Sequence, residues 1–90
     1  MIIKYSHKAE GHLAALPKGV SARIMEKIDW FGEQVDPLAF AEPVLTRLGK
    51  VYRFRIGDYR ALFRLEGGTI HLLLVLAVKH RKEAYRFISV

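Results

Sequence analysis

Apolar positions recur along this chain with a helical period in the first half and a period of two in the second. Residues 1–5 (Met-Ile-Ile-Lys-Tyr) are β-branched and aromatic, and read as a short strand. Ser6 stands where a hydroxyl would accept from the free N–H groups of a first helical turn. That helix is predicted over residues 7–16, with Ala9, Leu13 and Leu16 on one face and Pro17 ending it. A second helix is predicted over residues 20–35. Its apolar stripe is Val20, Ile24, Ile28, Phe31 and Val35, opposite Arg23, Glu26, Lys27 and Glu33. Asp36-Pro37 stops it. Residues 38–50 keep no firm period and contain Pro43 and Gly49, so they read as a connecting loop with room for a helical turn.

From Val51 the pattern alternates. Strands are predicted over residues 51–56, 59–65 and 69–78, separated by Gly57-Asp58 and Gly67-Gly68. Both pairs suit two-residue hairpin turns, which need a positive φ that glycine adopts cheaply. The order β-α-α-β-β-β describes an α+β domain, with two N-terminal helices packed on one face of a small, mainly antiparallel sheet. Two-residue turns also set register. Phe54 would face Ala61 and Arg55 would face Arg60; beyond the second turn, Glu66 would face Thr69 and Arg64 would face His71. Alternation then assigns Tyr52, Phe54, Ile56, Tyr59, Ala61, Phe63 and Leu65 to the core face, continued by Ile70, Leu72, Leu74 and Leu76. The opposite face receives Arg53, Arg55, Arg60, Arg64 and His71, with Leu62, Leu73 and Val75 among them.

Composition narrows the class. Ninety residues suffice for one small domain, 1–90, with one modest core. A hydrophobic share of 51% argues against disorder. The absence of cysteine excludes disulfides, thiolate zinc sites and a Cys nucleophile. The first residues lack the apolar stretch of a secretory signal. The longest apolar run, from Leu72 to Val78, is far shorter than the roughly 20 residues of a spanning helix. A cytoplasmic protein with no membrane partner is expected. The net charge of +6 is uneven. Residues 1–49 hold six bases and six acids, whereas residues 50–90 hold nine bases and three acids. Such an asymmetry suggests a polyanionic partner, nucleic acid first.

Arg55 opposite Arg60 breaks the rule that like charges facing each other destabilise a sheet. Arg53 lies two residues along the same face, and the acids of the hairpins do not offset them there. Guanidinium forks suit phosphate oxygens, so the missing counter-charge suggests a ligand that supplies it. Arg64, Lys79 and Lys82 would extend this surface as candidate nucleic-acid-binding residues. Beyond the last strand, Arg81 could stabilise a phosphorane-like oxyanion, and His80 and Tyr85 can each move a proton. Tyr85 could equally stack on a base or fill the core. His7 and His12 have no partners at ligand spacing, so no metal site is inferred.

Two strings carry a resemblance. Tyr52-Arg53-Phe54-Arg55-Ile56-Gly57-Asp58-Tyr59-Arg60 and, downstream, Val78-Lys79-His80-Arg81-Lys82-Glu83-Ala84-Tyr85-Arg86 resemble the RelE/ParE superfamily of bacterial toxins, the RelE branch most closely. The likeness extends over nearly the whole chain. It implies a type II toxin that cleaves mRNA in the ribosomal A site and is held inactive by a cognate antitoxin. The implied chemistry uses no metal or cofactor: the substrate 2′-OH attacks the adjacent phosphate, giving a 2′,3′-cyclic phosphate and a free 5′-OH. By position, the resemblance puts Arg53 and Arg55 where the family places basic residues on the first meander strand, Arg60 on its arginine of the next strand, and Arg81 and Tyr85 on its downstream arginine and tyrosine, so these five are the candidate catalytic residues. Some members carry Lys where this chain has Arg53 and Arg55. Arg does not lose its proton near neutral pH, so proton transfer would pass to Tyr85 or His80, with Lys79 behind them. The superfamily's other branch implies an alternative, a non-enzymatic inhibitor of DNA gyrase. A basic RNA-binding module is a third reading.

Overall fold

Ser6 makes the first change of direction. Its hydroxyl oxygen accepts from the Ala9 N–H at 3.1 Å, which caps helix α1 (His7–Ala14) as strand β1 (Ile2–Tyr5) ends. The same hydroxyl donates to the Leu76 carbonyl at 2.9 Å, and the Ser6 N–H donates to the Val75 carbonyl at 2.8 Å. One residue thus starts the helix and pins it to the last strand. The computed structural model describes residues 1–47, 49–67 and 71–83. After α1 come α2 (Lys18–Glu33), a 3-10 turn (Pro37–Phe40), β2 (Ala41–Thr46), β3 (Gly49–Ile56), β4 (Tyr59–Glu66) and β5 (Leu72–His80). The strands lie in the order β1-β5-β4-β3-β2, with β1 parallel to β5 and every other neighbour antiparallel. The fold is α+β, with both helices on one face of the sheet. Among the described residues no helix is long and apolar enough to cross a membrane.

The helical stripes explain the packing. Ala9 and Leu13 of α1 are buried, as are Ile24, Ile28 and Phe31 of α2. Val35 departs from the predicted stripe: α2 stops at Glu33, and Val35 is fully exposed. The core is organised by a column of aromatic rings. Phe31 stacks on Phe54 with centroids 4.1 Å apart, and Phe54 stacks on Phe63 at 4.0 Å. Trp30 stays at the rim. Its ring meets Phe40 edge-on at 5.2 Å, and the Lys27 ammonium sits 4.2 Å from its centroid.

Three features differ from the sequence expectation. Residues 38–50 are not a plain loop: Ala41–Thr46 add a fifth strand at the sheet edge. Pro43 hides it from a pattern reading, because proline fits only edge strands or strand ends. Next, the link from β4 to β5 is longer than a two-residue turn. Glu66 pairs with Leu72 rather than Thr69, and Arg64 with Leu74 rather than His71. That odd slip reverses the faces of β5. Leu73 and Val75 join the core under the helices, while Leu72 and Leu74 turn outward with Arg64 and Glu66. Finally, a bulge opposite Leu62 and Phe63, whose partners are Ala77 and Val75, makes Leu76 an extra residue. Beyond it the parity changes again. Val78 enters the core beneath the helices, whereas Ala77 joins Leu62, Val44 and Val51 in a second cluster on the outer face.

Where β1 ends, α1 takes over the free edge of β5. The Val78 N–H donates to His12 Nδ1 at 3.1 Å, so His12 has a structural partner 66 residues away. Burial, assisted by Lys79 and Lys8 and opposed by Glu83, holds His12 below the usual histidine value of 6.5. The folded chain therefore binds this proton less readily than the unfolded chain. The contribution is complete above pH 6.5 and is lost as pH falls from there towards the lower folded value. His12→Asn retains an acceptor without the titration, so its urea midpoint should lose less than the wild type's between about pH 7 and about pH 5. Phe54→Ala should remove about 3–5 kcal/mol of stability, read from the same urea curves, because the middle ring of the column is lost.

Candidate nucleic-acid interface

Burial of Phe54, Ala61 and Phe63 under the helices forces their strand neighbours to the opposite face. Arg53 and Arg55 of β3 and Arg60 of β4 meet there. Arg55 pairs directly with Arg60, as the two-residue turn predicts. Gly57 has φ +58°, the left-handed conformation this tight turn requires.

The arginines are not equivalent. Arg53 is held by Glu42 of β2, with Nε 2.9 Å and Nη2 2.6 Å from the same carboxylate oxygen. That contact holds the Glu42 carboxyl below its usual range, through the hydrogen bond first and the charge second. Arg64 is matched by Glu66, with Nε 2.7 Å from Oε1. Arg60 has no carboxylate partner among the described residues; its Nη1 donates to the Gly57 and Tyr59 carbonyls, each at 2.9 Å. Burial and then the charges of Arg55 and Arg53 push Arg60 below the usual arginine range. Arg55 has no ion-pair partner among the described residues. The site is therefore a cluster in which Arg55 and Arg60 face each other without a counter-charge of their own.

The end of β5 adds two residues, on opposite sides. Lys79 pairs with Arg60 and so shares its face, with Nζ 3.8 Å from Glu83. His80 pairs with Tyr59 instead and turns to the helix side, where the rings meet edge-on at 5.6 Å. Its Nδ1 accepts from the Lys82 N–H at 3.3 Å. His80 thus does not join the arginine cluster, contrary to its expected place there. The bulge explains why, since without it Lys79 and His80 would exchange faces. Arg81 follows with helical backbone. Its N–H donates to the Asp58 carbonyl at 2.7 Å, and its Nε lies 3.9 Å from the Asp58 carboxylate. Lys82 is exposed beside it. Tyr85 lies outside the described residues.

Sequence reasoning missed Glu42 and Asp58 as parts of this site. Glu42 was hidden with its strand, which Pro43 disguises. Asp58 carries only a turn signal in the sequence. Among the described residues no three His, Asp or Glu side chains converge as a metal set. Chemically, the cluster offers planar guanidinium donors to oxyanions.

Comparison with known proteins adds a family. Residues 3–85 match the model of ParE toxins of type II toxin-antitoxin systems. The toxin-antitoxin complex RelBE2 from Mycobacterium tuberculosis is similar in structure, with a TM-score of 0.73 and 25% identity over 89% of this chain and 96% of that one. A YoeB/ParE toxin from Agrobacterium tumefaciens has a TM-score of 0.65 at 19% identity, covering 89% of this chain and 98% of its own. The RelB-RelE complex from Methanococcus jannaschii has a TM-score of 0.62 at 21% identity, covering 92% and 95%. No curated protein sequence matches significantly.

Neutralisation of Arg53 by Glu42 is open to test. Glu42→Gln should leave the fold intact and remove the carboxylate charge from Arg53, so the variant should elute from heparin, and dissociate from single-stranded RNA, at higher salt than wild type. Unchanged elution would mean that Arg53 does not face the polyanion.

Proposed function

The chain belongs to the ParE toxin family of type II toxin-antitoxin systems, and on that premise we propose that it cleaves messenger RNA on the ribosome. The observation that carries this reading is the direct pairing of Arg55 with Arg60, without a carboxylate partner for either among the described residues. A sheet keeps such a pair at a cost in stability, and a phosphodiester offsets that cost. In the proposed reaction the 2′-OH of the nucleotide attacks its own 3′-phosphate in the ribosomal A site. A 2′,3′-cyclic phosphate forms and a 5′-OH leaves. Arg55 and Arg60, with Arg53 beside them, hold the scissile phosphate. Arg81 stabilises the charge that develops on its oxygens. Arg64, Lys79 and Lys82 guide the RNA backbone. Proton transfer falls to Tyr85, by the sequence resemblance, or to Lys79, which shares the face of Arg60. His80, turned towards Tyr59, is the weaker choice. As in the similar toxin-antitoxin complexes, the protein partner is a cognate antitoxin.

One observation favours a second reading. The matching family model is that of ParE toxins, and a gyrase-binding inhibitor without nuclease activity would share this fold. Programmed ribosomes separate the two. The nuclease reading expects new mRNA 5′ ends at codons in the A site, with the rate lowered roughly 10²–10³-fold in Arg81→Ala and in Arg55→Ala. Absence of cleavage together with inhibition of gyrase supercoiling would replace it with the second.

A further inference from the structure

The β3–β4 turn does more than reverse the chain. Gly57 and Tyr59 each offer a carbonyl to Arg60 Nη1 at 2.9 Å. The residue between them, Asp58, reaches Arg81 twice, through its carbonyl to the Arg81 N–H at 2.7 Å and through its carboxylate to Nε at 3.9 Å. Tyr59 also meets His80, the residue before Arg81, edge-on at 5.6 Å. Three consecutive residues therefore touch the end of β5 and both arginines that flank it. We infer that Asp58 is a positioning residue for Arg81, and that the Gly57-Asp58 turn is the element that sets the spacing of the basic site.

The chemistry favours this use. Arg81 and Asp58 are both more than half exposed, so Arg81 has room to swing into solvent. The positive charges of Arg55, Arg60 and Arg53 promote that movement, since like charges repel. A carboxylate beside Nε restrains the side chain and leaves both terminal nitrogens for a ligand. Arg53 is engaged differently: Glu42 occupies its Nε and one terminal nitrogen, so its fork is already taken. Asp58 thus holds an arginine without consuming the part of it that recognises phosphate.

The catalytic half of this inference rests on the nuclease reading, and the test separates the two. Asp58→Asn keeps a residue suited to the turn and removes the charge. Loss of an acid beside an RNA site, acting through net charge alone, would tighten RNA binding and leave kcat unchanged. Loss of positioning lowers kcat about two- to fivefold, the scale of an exposed ion pair, without raising KM. In an Arg81→Ala background the same substitution should then cost nothing more. Proton exchange at Arg81 Nε, followed by NMR, should be faster in Asp58→Asn than in wild type, whatever the reaction. An unchanged kcat, an equal loss in the Arg81→Ala background, or unchanged Nε exchange would each overturn the assignment. Should wild type fail to cut RNA, the nuclease reading falls, and Nε exchange alone decides whether Asp58 holds Arg81.

Discussion

Phe54 cannot be buried without exposing its neighbours. It lies between Phe31 of α2 and Phe63 of β4 in a column of stacked rings, and each of the three is 4% exposed or less. A strand sends successive side chains to opposite faces, so burial of Phe54 turns Arg53 and Arg55 to the far side of the sheet. The same holds for Arg60 and Leu62 beside Ala61, and for Leu62 and Arg64 beside Phe63. The basic surface is a geometric consequence of the hydrophobic core. Hydrophobic burial supplies the free energy that keeps like charges together, and no local attraction among the arginines is needed.

This dependence explains which parts of the protein were legible in its sequence. The helices, the Ser6 cap and the β3–β4 hairpin announce themselves through short-range patterns, and the pairing of Arg55 with Arg60 follows from one two-residue turn. Errors begin where parity has to be carried over distance. The connection after Glu66 slips the register by an odd number of residues, and the bulge at Leu76 reverses the alternation once more. Neither leaves a mark in a run such as Leu72-Leu73-Leu74-Val75-Leu76-Ala77-Val78, where every residue is apolar and either face would serve. Alternation can be read only when it alternates in polarity. Lys79 and His80 inherit their faces from that ambiguity, so the sequence could name them but not say which belongs with the arginines.

The missed edge strand matters for the same site. Pro43 argues against a central strand, yet at the sheet edge its missing N–H is tolerated. With β2 in place, Glu42 stands opposite Arg53 and the two form an ion pair. His12 is a similar case. A histidine on a helix has no visible partner until the end of β1 exposes the Val78 N–H that it accepts. In both cases the partner is set by topology, and lies 11 and 66 residues away.

The resulting site has graded charge. Arg53 and Arg64 carry matched charges at its margins, while Arg55 and Arg60 remain opposed at the centre. Arginine is the residue that makes such an arrangement durable. A lysine among these charges could relieve repulsion by losing its proton, whereas a guanidinium pushed below its usual range remains charged at neutral pH. The repulsion therefore persists until an anion arrives. Any polyanion that binds the folded chain preferentially relieves it and stabilises the fold by mass action. Two polyanions would draw on the same stored repulsion, and competition between them at one surface follows from the charges alone.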